Sequence, residues 1–300
     1  MSDLFTATTA AQVERALARG ANIEAERREN WSLKKTPLIS ACQRGELEVV
    51  ECLLNHGADP NHAPDAKNAP IQWAARNGHA AIVERLVRGG ANINNDQGGT
   101  TALFLASQQG HVDVVDCLLS LGADTEAKSN AQTTALMVAS QKGRIDVVDR
   151  LLAAGCNVNA LNKGNATALM FAAQGNHVPI IDRLVVHGAD FRLFNVDGKD
   201  ELMFSSQEGH VEAVDRLLSL GCDVNSQSNL GWTALMWACL KTKVDIVRLL
   251  LDHGADPLIR NKKGQRAIDL SETSPEIQTL LNGLILLSFH HHPFITSHET

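Results

Sequence analysis

Tyrosine is absent from the 300 residues, and aromatic side chains make up only 4% of the chain. The core must therefore be aliphatic, and the 44% hydrophobic content is enough to build one. No CxxC pair, P-loop, GxSxG elbow, HExxH helix or dinucleotide fingerprint occurs, which removes the usual sequence marks of zinc, nucleotide, serine-hydrolase, metalloprotease and redox chemistry. No catalytic residues, cofactor or metal are expected. An excess of positive charge is lacking too: 27 Lys+Arg stand against 34 Asp+Glu, a net charge of −7 that speaks against a nucleic-acid surface. The start, MSDLFTATTAAQVERAL, has no basic leader followed by an apolar run. The longest late apolar run, Leu284 to Leu287 with Phe289 beyond it, is far short of the ~20 residues a membrane-spanning helix needs. No membrane insertion is expected, and cytoplasm or nucleus is the default location. NWS at Asn30 and NAT at Asn165 match the glycosylation acceptor pattern by chance on this reading.

What the chain has is repetition. TALFLASQQGHVDVVDCLLSLGAD at 101–124 returns as TALMVASQKGRIDVVDRLLAAGCN at 134–157. An apolar anchor recurs at Leu38, Ile71, Leu103, Leu136, Leu169, Leu202, Leu235 and Ile268, in steps of 33 except for one of 32. Nineteen residues after each of the first seven comes a glycine, Gly57, Gly90, Gly122, Gly155, Gly188, Gly221 and Gly254.

Each period reads as two helices and a turn. Threonine stands two before the anchor at positions 36, 101, 134, 167 and 233, where its hydroxyl can cap free N–H groups, and Pro37 and Pro70 fill the first helical position. Small residues one turn on let a neighbouring helix approach, and glycines such as Gly45, Gly78 and Gly110 end the first helix. The second helix carries apolar pairs such as Val114/Val115 with leucines four residues further, a helical stripe rather than a strand. One helix pair cannot bury this face alone, so the copies must stack.

These units resemble ankyrin repeats: TPLISA at 36–41, Gly78-His79 and GADPN at 57–61 match the family pattern, and the match extends over roughly residues 3 to 282. The resemblance implies an all-α helix-turn-helix solenoid with short β-hairpin-like turns. We expect an N-terminal capping unit at 1–25, a connecting loop at 26–35, seven repeats at 36–260, a capping unit at 261–282 and a disordered tail at 283–300. The chain departs from the family where Ile39, Gln72, Phe104, Met137, Met170, Met203 and Met236 replace the histidine after the anchor, suggesting a largely apolar substitute for its hydrogen-bond network. Asp200-Glu201 replaces threonine-proline, and Asn176 and Thr242 replace the first-helix glycine.

The resemblance also implies function: a non-catalytic protein-interaction module, serving as adaptor, scaffold or stoichiometric regulator. The alternative is a regulatory region or fragment of a larger enzyme or channel. Protein partners and a monomeric state are expected. Five residues past the anchor, Gln43, Gln108, Gln141, Gln174 and Gln207 would form a ladder on the face that is concave in the family, with rungs ~10 Å apart, able to donate and accept. Apolar residues at the turn tips, Leu161, Phe194, Leu230 and Trp232, are candidate partner anchors. Trp237, inside a first helix, is expected to be packing. Ankyrin repeats are targets of asparaginyl hydroxylation at the turn asparagine, and Asn159 and Asn225 are the best matches here. The six cysteines fall in repeat slots as small substitutions, His79, His111, His177 and His210 in the glycine-histidine slot, and the recurring Ser-Gln positions on the surface. Basic residues gather near the ends, at Arg27, Arg28, Lys34 and Lys35 and at Arg260, Lys262, Lys263 and Arg266.

Overall fold

The structure, a computed structural model, describes residues 3–30, 33–64, 69–271 and 274–290, and their side chains except at 29, 30, 33 and 284–290. Contacts divide the chain into two compact units, residues 1–163 and 164–300. The first opens with a 3-10 turn (Leu4–Thr6) and a helix (Ala10–Ala18), then a two-stranded hairpin (Arg27–Asn30 with Leu33–Lys35). Four helix pairs follow: Pro37–Arg44 with Leu47–Asn55, Pro70–Arg76 with Ala80–Arg88, Ala102–Gln109 with Val112–Ser120, and Ala135–Gln141 with Ile145–Ala153. The second unit has three pairs, Ala168–Gln174 with Val178–Val186, Glu201–Glu208 with Val211–Ser219, and Ala234–Leu240 with Val244–Asp252. A 3-10 turn (Ile268–Leu270) and a helix (Pro275–His290) close it.

The local chemistry expected at the helix ends is present. The hydroxyls of Thr36, Thr101, Thr134, Thr167 and Thr233 each accept the N–H three residues on, at 3.2 to 3.4 Å. Asp200 does the same for Met203 at 2.8 Å, so the substituted sixth repeat keeps its cap. The second repeat has Ala69 at that position, and Gln72 takes over. Its Oε1 accepts the Ala69 N–H at 2.5 Å while its Nε2 donates to the carbonyls of Gln97, at 2.7 Å, and Thr100. Gln72 is 0% exposed and fully engaged, which is what a buried amide requires.

The anchors and the small residues three positions after them are buried in every pair, and so are the residues that replace the family histidine. Burying each large aliphatic side chain contributes ~1.5–3 kcal/mol, and stacking supplies the cover that a lone pair lacks. Within the first unit, Gly45 has φ +83°, and a Cβ there would lie 2.5 Å from the His79 ring of the next repeat. Glycine therefore serves both the left-handed helix end and the close approach. His111 Nε2 donates to the Arg76 carbonyl at 2.9 Å, and in the second unit His210 Nε2 donates to Gln174 at 2.9 Å, so these histidines tie each repeat to the one before.

Three expectations need correction. The segment 26–35 expected as a connecting loop carries two antiparallel strands, Arg27–Asn30 and Leu33–Lys35, with Arg27 paired to Lys35 and Arg28 to Lys34. Like charges facing across strands oppose it. Docking offsets this: Arg27 lies over the Phe5 ring at 4.2 Å and pairs with Asp3, Lys34 pairs with Glu26 at 2.8 Å, and Lys35 is buried against Trp73 and Gln43. Residues 283–290 continue the last helix instead of forming a disordered tail, because GLILLSFH holds good helix formers and the next proline is Pro293. The side chains of Leu284–Leu287 and His290, and all of His291, His292 and the rest of 291–300, lie outside the described residues. Ser107, Ser140 and Ser206 are not surface residues: their hydroxyls are buried, with no hydrogen-bond partner among the described residues.

Candidate functional site

Among the described residues, every large apolar side chain that is exposed belongs to the second unit: Val186, Phe194, Val196, Val211, Leu230, Leu240 and Leu258. Three turn tips organise the region. Each closes the same way: the N–H of Asn195, Ser228 and Asn261 donates to the carbonyl four residues on at 2.9 to 3.0 Å, and Gly198, Gly231 and Gly264 donate back at 2.8 to 2.9 Å. Successive tips are joined by Asn229 N–H to the Asp197 carbonyl at 3.0 Å and Lys262 N–H to the Leu230 carbonyl at 2.9 Å. These turns deliver Lys199 and Trp232 to the position just before the helix cap, and Lys262 and Lys263 to the third tip.

Side chains from all three tips line a cavity of about 420 Å³: Asp197, Lys199, Leu230, Trp232, Lys262 and Lys263, together with Ser228, Asn229 and Trp237. Leu230 is 63% exposed at its mouth. Trp232 is half-buried rather than a free tip, its ring centroid 4.7 Å from that of Trp237 at an interplanar angle of 35°. Trp237 is half-buried as well, and its buried indole N–H has no acceptor among the described residues. The Lys199 ammonium sits 3.7 Å from the Trp237 centroid and 5.7 Å from that of Phe204, and donates to Gln207 Oε1 at 2.9 Å. Burial holds its pKa below the ordinary lysine value, against the pull of Asp197 and Glu208.

The other candidates are distributed between the units. In the second, Phe194 is 41% exposed, Gln207 is held by Lys199, and Gln174 is exposed. In the first, Leu161 is half-buried and its carbonyl accepts from Lys128 Nζ at 3.2 Å; Gln108 is half-buried and Gln141 exposed. The first unit repeats the lysine device at its own start. Lys35 bonds Gln43 and covers Trp73 at 4.8 Å, in the same slots as Lys199, Gln207 and Trp237. A cavity of about 370 Å³ there is lined by Phe5, Arg27, Lys35, Ser40, Gln43 and Arg44. Its arginines are committed: Arg27 to Asp3, and Arg44 to the Phe5 and Ala7 carbonyls, at 2.7 and 3.0 Å, and to Glu46 at 2.6 Å.

Asn225 lies in a turn of the second unit, its amide donating to the Gly254 carbonyl at 3.2 Å and accepting from Asp256 N–H at 2.8 Å. Asn159, in the first unit, donates its backbone N–H to Asn157 Oδ1 at 3.0 Å. All six cysteines are free thiols; burial pushes Cys156 and Cys239 up to about 12 and raises the rest, which keeps them protonated and unreactive. No cluster of three or more metal-ligating side chains occurs among the described residues. In the sixth repeat Glu201 is 2% exposed, and burial, with Asp200 beside it, raises its pKa to about 8. Cys222 Sγ donates to its Oε1 at 3.4 Å.

A family model for ankyrin repeats in three copies matches residues 5–97, 71–162, 136–228, 169–261 and 202–281, which together run through both units. The chain belongs to the ankyrin repeat family. No curated protein matches it significantly. Ankyrin repeats are protein-interaction modules in general, and such domains are typically non-catalytic. No helix of the described residues is long and apolar enough to cross a membrane.

Sequence reasoning missed Trp237, Lys199, Lys262 and Lys263 as parts of one site. A signal existed for the first. Two residues past the anchor the ankyrin repeats carry Leu105 and Val138, which are buried, but Phe171, Phe204 and Trp237, which are half-buried. In the second unit the rings in this slot reach the surface, whereas Trp73 in the same slot of the second repeat is buried against Lys35.

Proposed function

We propose that this ankyrin repeat protein is a non-catalytic binding module, acting as an adaptor, scaffold or stoichiometric regulator in the cytoplasm or nucleus, and that it engages its protein partner as a monomer through the turn tips and adjoining first-helix face of the second unit. The observation that carries this reading is the tryptophan-lined cavity, with Leu230 63% exposed at its mouth. Exposed apolar area next to a preformed aromatic pocket costs solubility unless something covers it. Tryptophan is also the residue whose truncation most often costs an interface its affinity. Gln207 joins this surface through its bond to Lys199, and Phe194 and Gln174 are exposed in the same unit. Leu161, Gln108 and Gln141 belong to the first unit and are weaker candidates, since Leu161 is half-buried.

Crosslinking affinity purification from cells, comparing the intact chain with Trp232→Ala and Leu230→Asp, tests the reading. An aromatic hot spot is worth ~2 kcal/mol or more, so Trp232→Ala should weaken partner capture by roughly 30-fold. Leu230→Asp should weaken it without changing the melting temperature, because that side chain is mostly in water. Undiminished capture of the same crosslinked partners by both variants would place the binding surface elsewhere.

A further inference from the structure

The cavity of the second unit carries a charge opposite to that of the chain. Lys199, Lys262 and Lys263 line it with Asp197 as the single acid, whereas the whole protein has a net charge of −7. Widening the circle adds Lys241 and Glu208, which both act on Lys199, and leaves the balance at four cations to two acids. The lysines differ in what they do. Lys199 is committed to the Trp237 face and to Gln207, whereas Lys262 and Lys263 are exposed, and among the described residues their ammonium groups have no ion-pair partner. In the cationic cavity of the first unit, by contrast, Arg27 and Arg44 are already paired with Asp3 and Glu46.

The floor narrows the choice further. A cationic ligand would seek a tryptophan face, but Lys199 covers that of Trp237 at 3.7 Å and would repel it. What remains available is the Trp232 and Leu230 apolar surface and the free ammonium groups of the third tip. A long polyanion fits less well than a short one, because Asp197 lines the cavity and Glu208 acts on Lys199 beside it.

Resting on the reading above that this surface binds a protein, we infer that the partner presents a short acidic peptide segment with one large apolar residue: the apolar side chain packs on Trp232 and Leu230, and carboxylates within a few residues of it pair with Lys262 and Lys263. Pairs at an exposed rim contribute more to selection and association rate than to affinity, while the apolar anchor supplies most of the binding.

A displayed library of random 12-residue peptides, panned on the intact chain and followed by fluorescence polarisation of the enriched sequences, tests this. Enriched peptides should combine an aromatic or leucine with at least two carboxylates. Their binding should weaken as salt is raised, and fall roughly tenfold or more with the double variant Lys262→Glu/Lys263→Glu, whose positions are exposed and outside the core. If the enriched peptides need Leu230 and Trp232 but carry no acidic bias and ignore the lysine reversals, the acidic-partner inference fails and the binding module stands. If no enriched peptide depends on Leu230 or Trp232, both fail. A single-stranded oligonucleotide that displaces the peptides, and binds more tightly than they do, would assign the lysines to nucleic acid and overturn the inference as well.

Discussion

Glu201 occupies the first helical position of its repeat, where the other repeats have proline or alanine, and it is 2% exposed. Burial, then Asp200, and more distantly Asp190 raise its pKa from the ordinary 4.5 to about 8, while the Cys222 thiol bond opposes the shift. In the unfolded chain the group ionises near its ordinary value, so between the two values the folded state holds a proton that the unfolded state has lost. Stability then falls as pH rises through this window, by about 1.4 kcal/mol per pH unit, and levels off above the folded value. From pH 5 to pH 8.5 the loss from this one residue is about 4 kcal/mol, using the folded pKa of about 8. Glu201→Gln keeps the shape and the acceptor for Cys222 but removes the titration. Urea unfolding at several pH values, followed by the fluorescence of Trp232 and Trp237 one repeat away, measures the difference between the two proteins and cancels the histidines common to both. Asp200, whose pKa burial also raises, remains in the variant and contributes its own slope to both proteins. Wild type and Glu201→Gln showing the same pH slope from 5 to 8.5 would refute the reasoning, since it would mean that the carboxylate ionises in the folded state without cost.

Three further outcomes follow from single positions. Thr242 ends a first helix at φ +53°, which a β-branched residue resists, and Thr242→Gly should raise the stability of the second unit by ~1 kcal/mol or more in urea unfolding. Gln72→Met places in the second repeat the residue that four other repeats use in that slot, yet it should cost ~2–4 kcal/mol by the same measure, because the Ala69 N–H and the Gln97 and Thr100 carbonyls lose the Gln72 amide. Protein made in animal cells should show a one-oxygen mass increment on peptides containing Asn225 and Asn159, as the family resemblance implies; spectra covering both residues without it would remove that modification.

How much of this was legible in the sequence depends on whether a position obeys the repeat. The 33-residue frame places the helix pairs, the threonine caps and the buried anchors, because each is dictated by local chemistry that every copy must satisfy. It also locates Glu201 in a slot that is proline or alanine elsewhere, and its burial is therefore readable in advance; its raised pKa is not, because that depends on how closely Asp200 and Cys222 approach. The hairpin at 27–35 is illegible for a related reason. The sequence shows only a lengthened connection with four basic residues, and the docking of Arg27 on Phe5 and Lys35 on Trp73 that accompanies strand pairing depends on tertiary structure.

The candidate site was half legible, and the missing half shows where an ankyrin stack hides its specificity. Leu230 and Trp232 announce themselves as apolar residues at a tip. Lys199 and the adjacent pair Lys262 and Lys263 read singly as solvated turn charges, and they belong to different tips 63 positions apart. What joins them is the stacking of identical turns, tip bonded to tip through Asn229 and Lys262. A fixed period turns positions one repeat apart in sequence into neighbours in space. A departure from the pattern therefore gains meaning from what departs in the same or adjoining slot one copy away. Trp237 illustrates the rule: alone it is one more apolar residue in a helix, but with Phe204 and Phe171 in the same slot it marks a run of rings that reach the surface of the second unit. The scaffold residues are repeated because they fold the chain, and the residues that break the repeat together are the ones free to choose a partner.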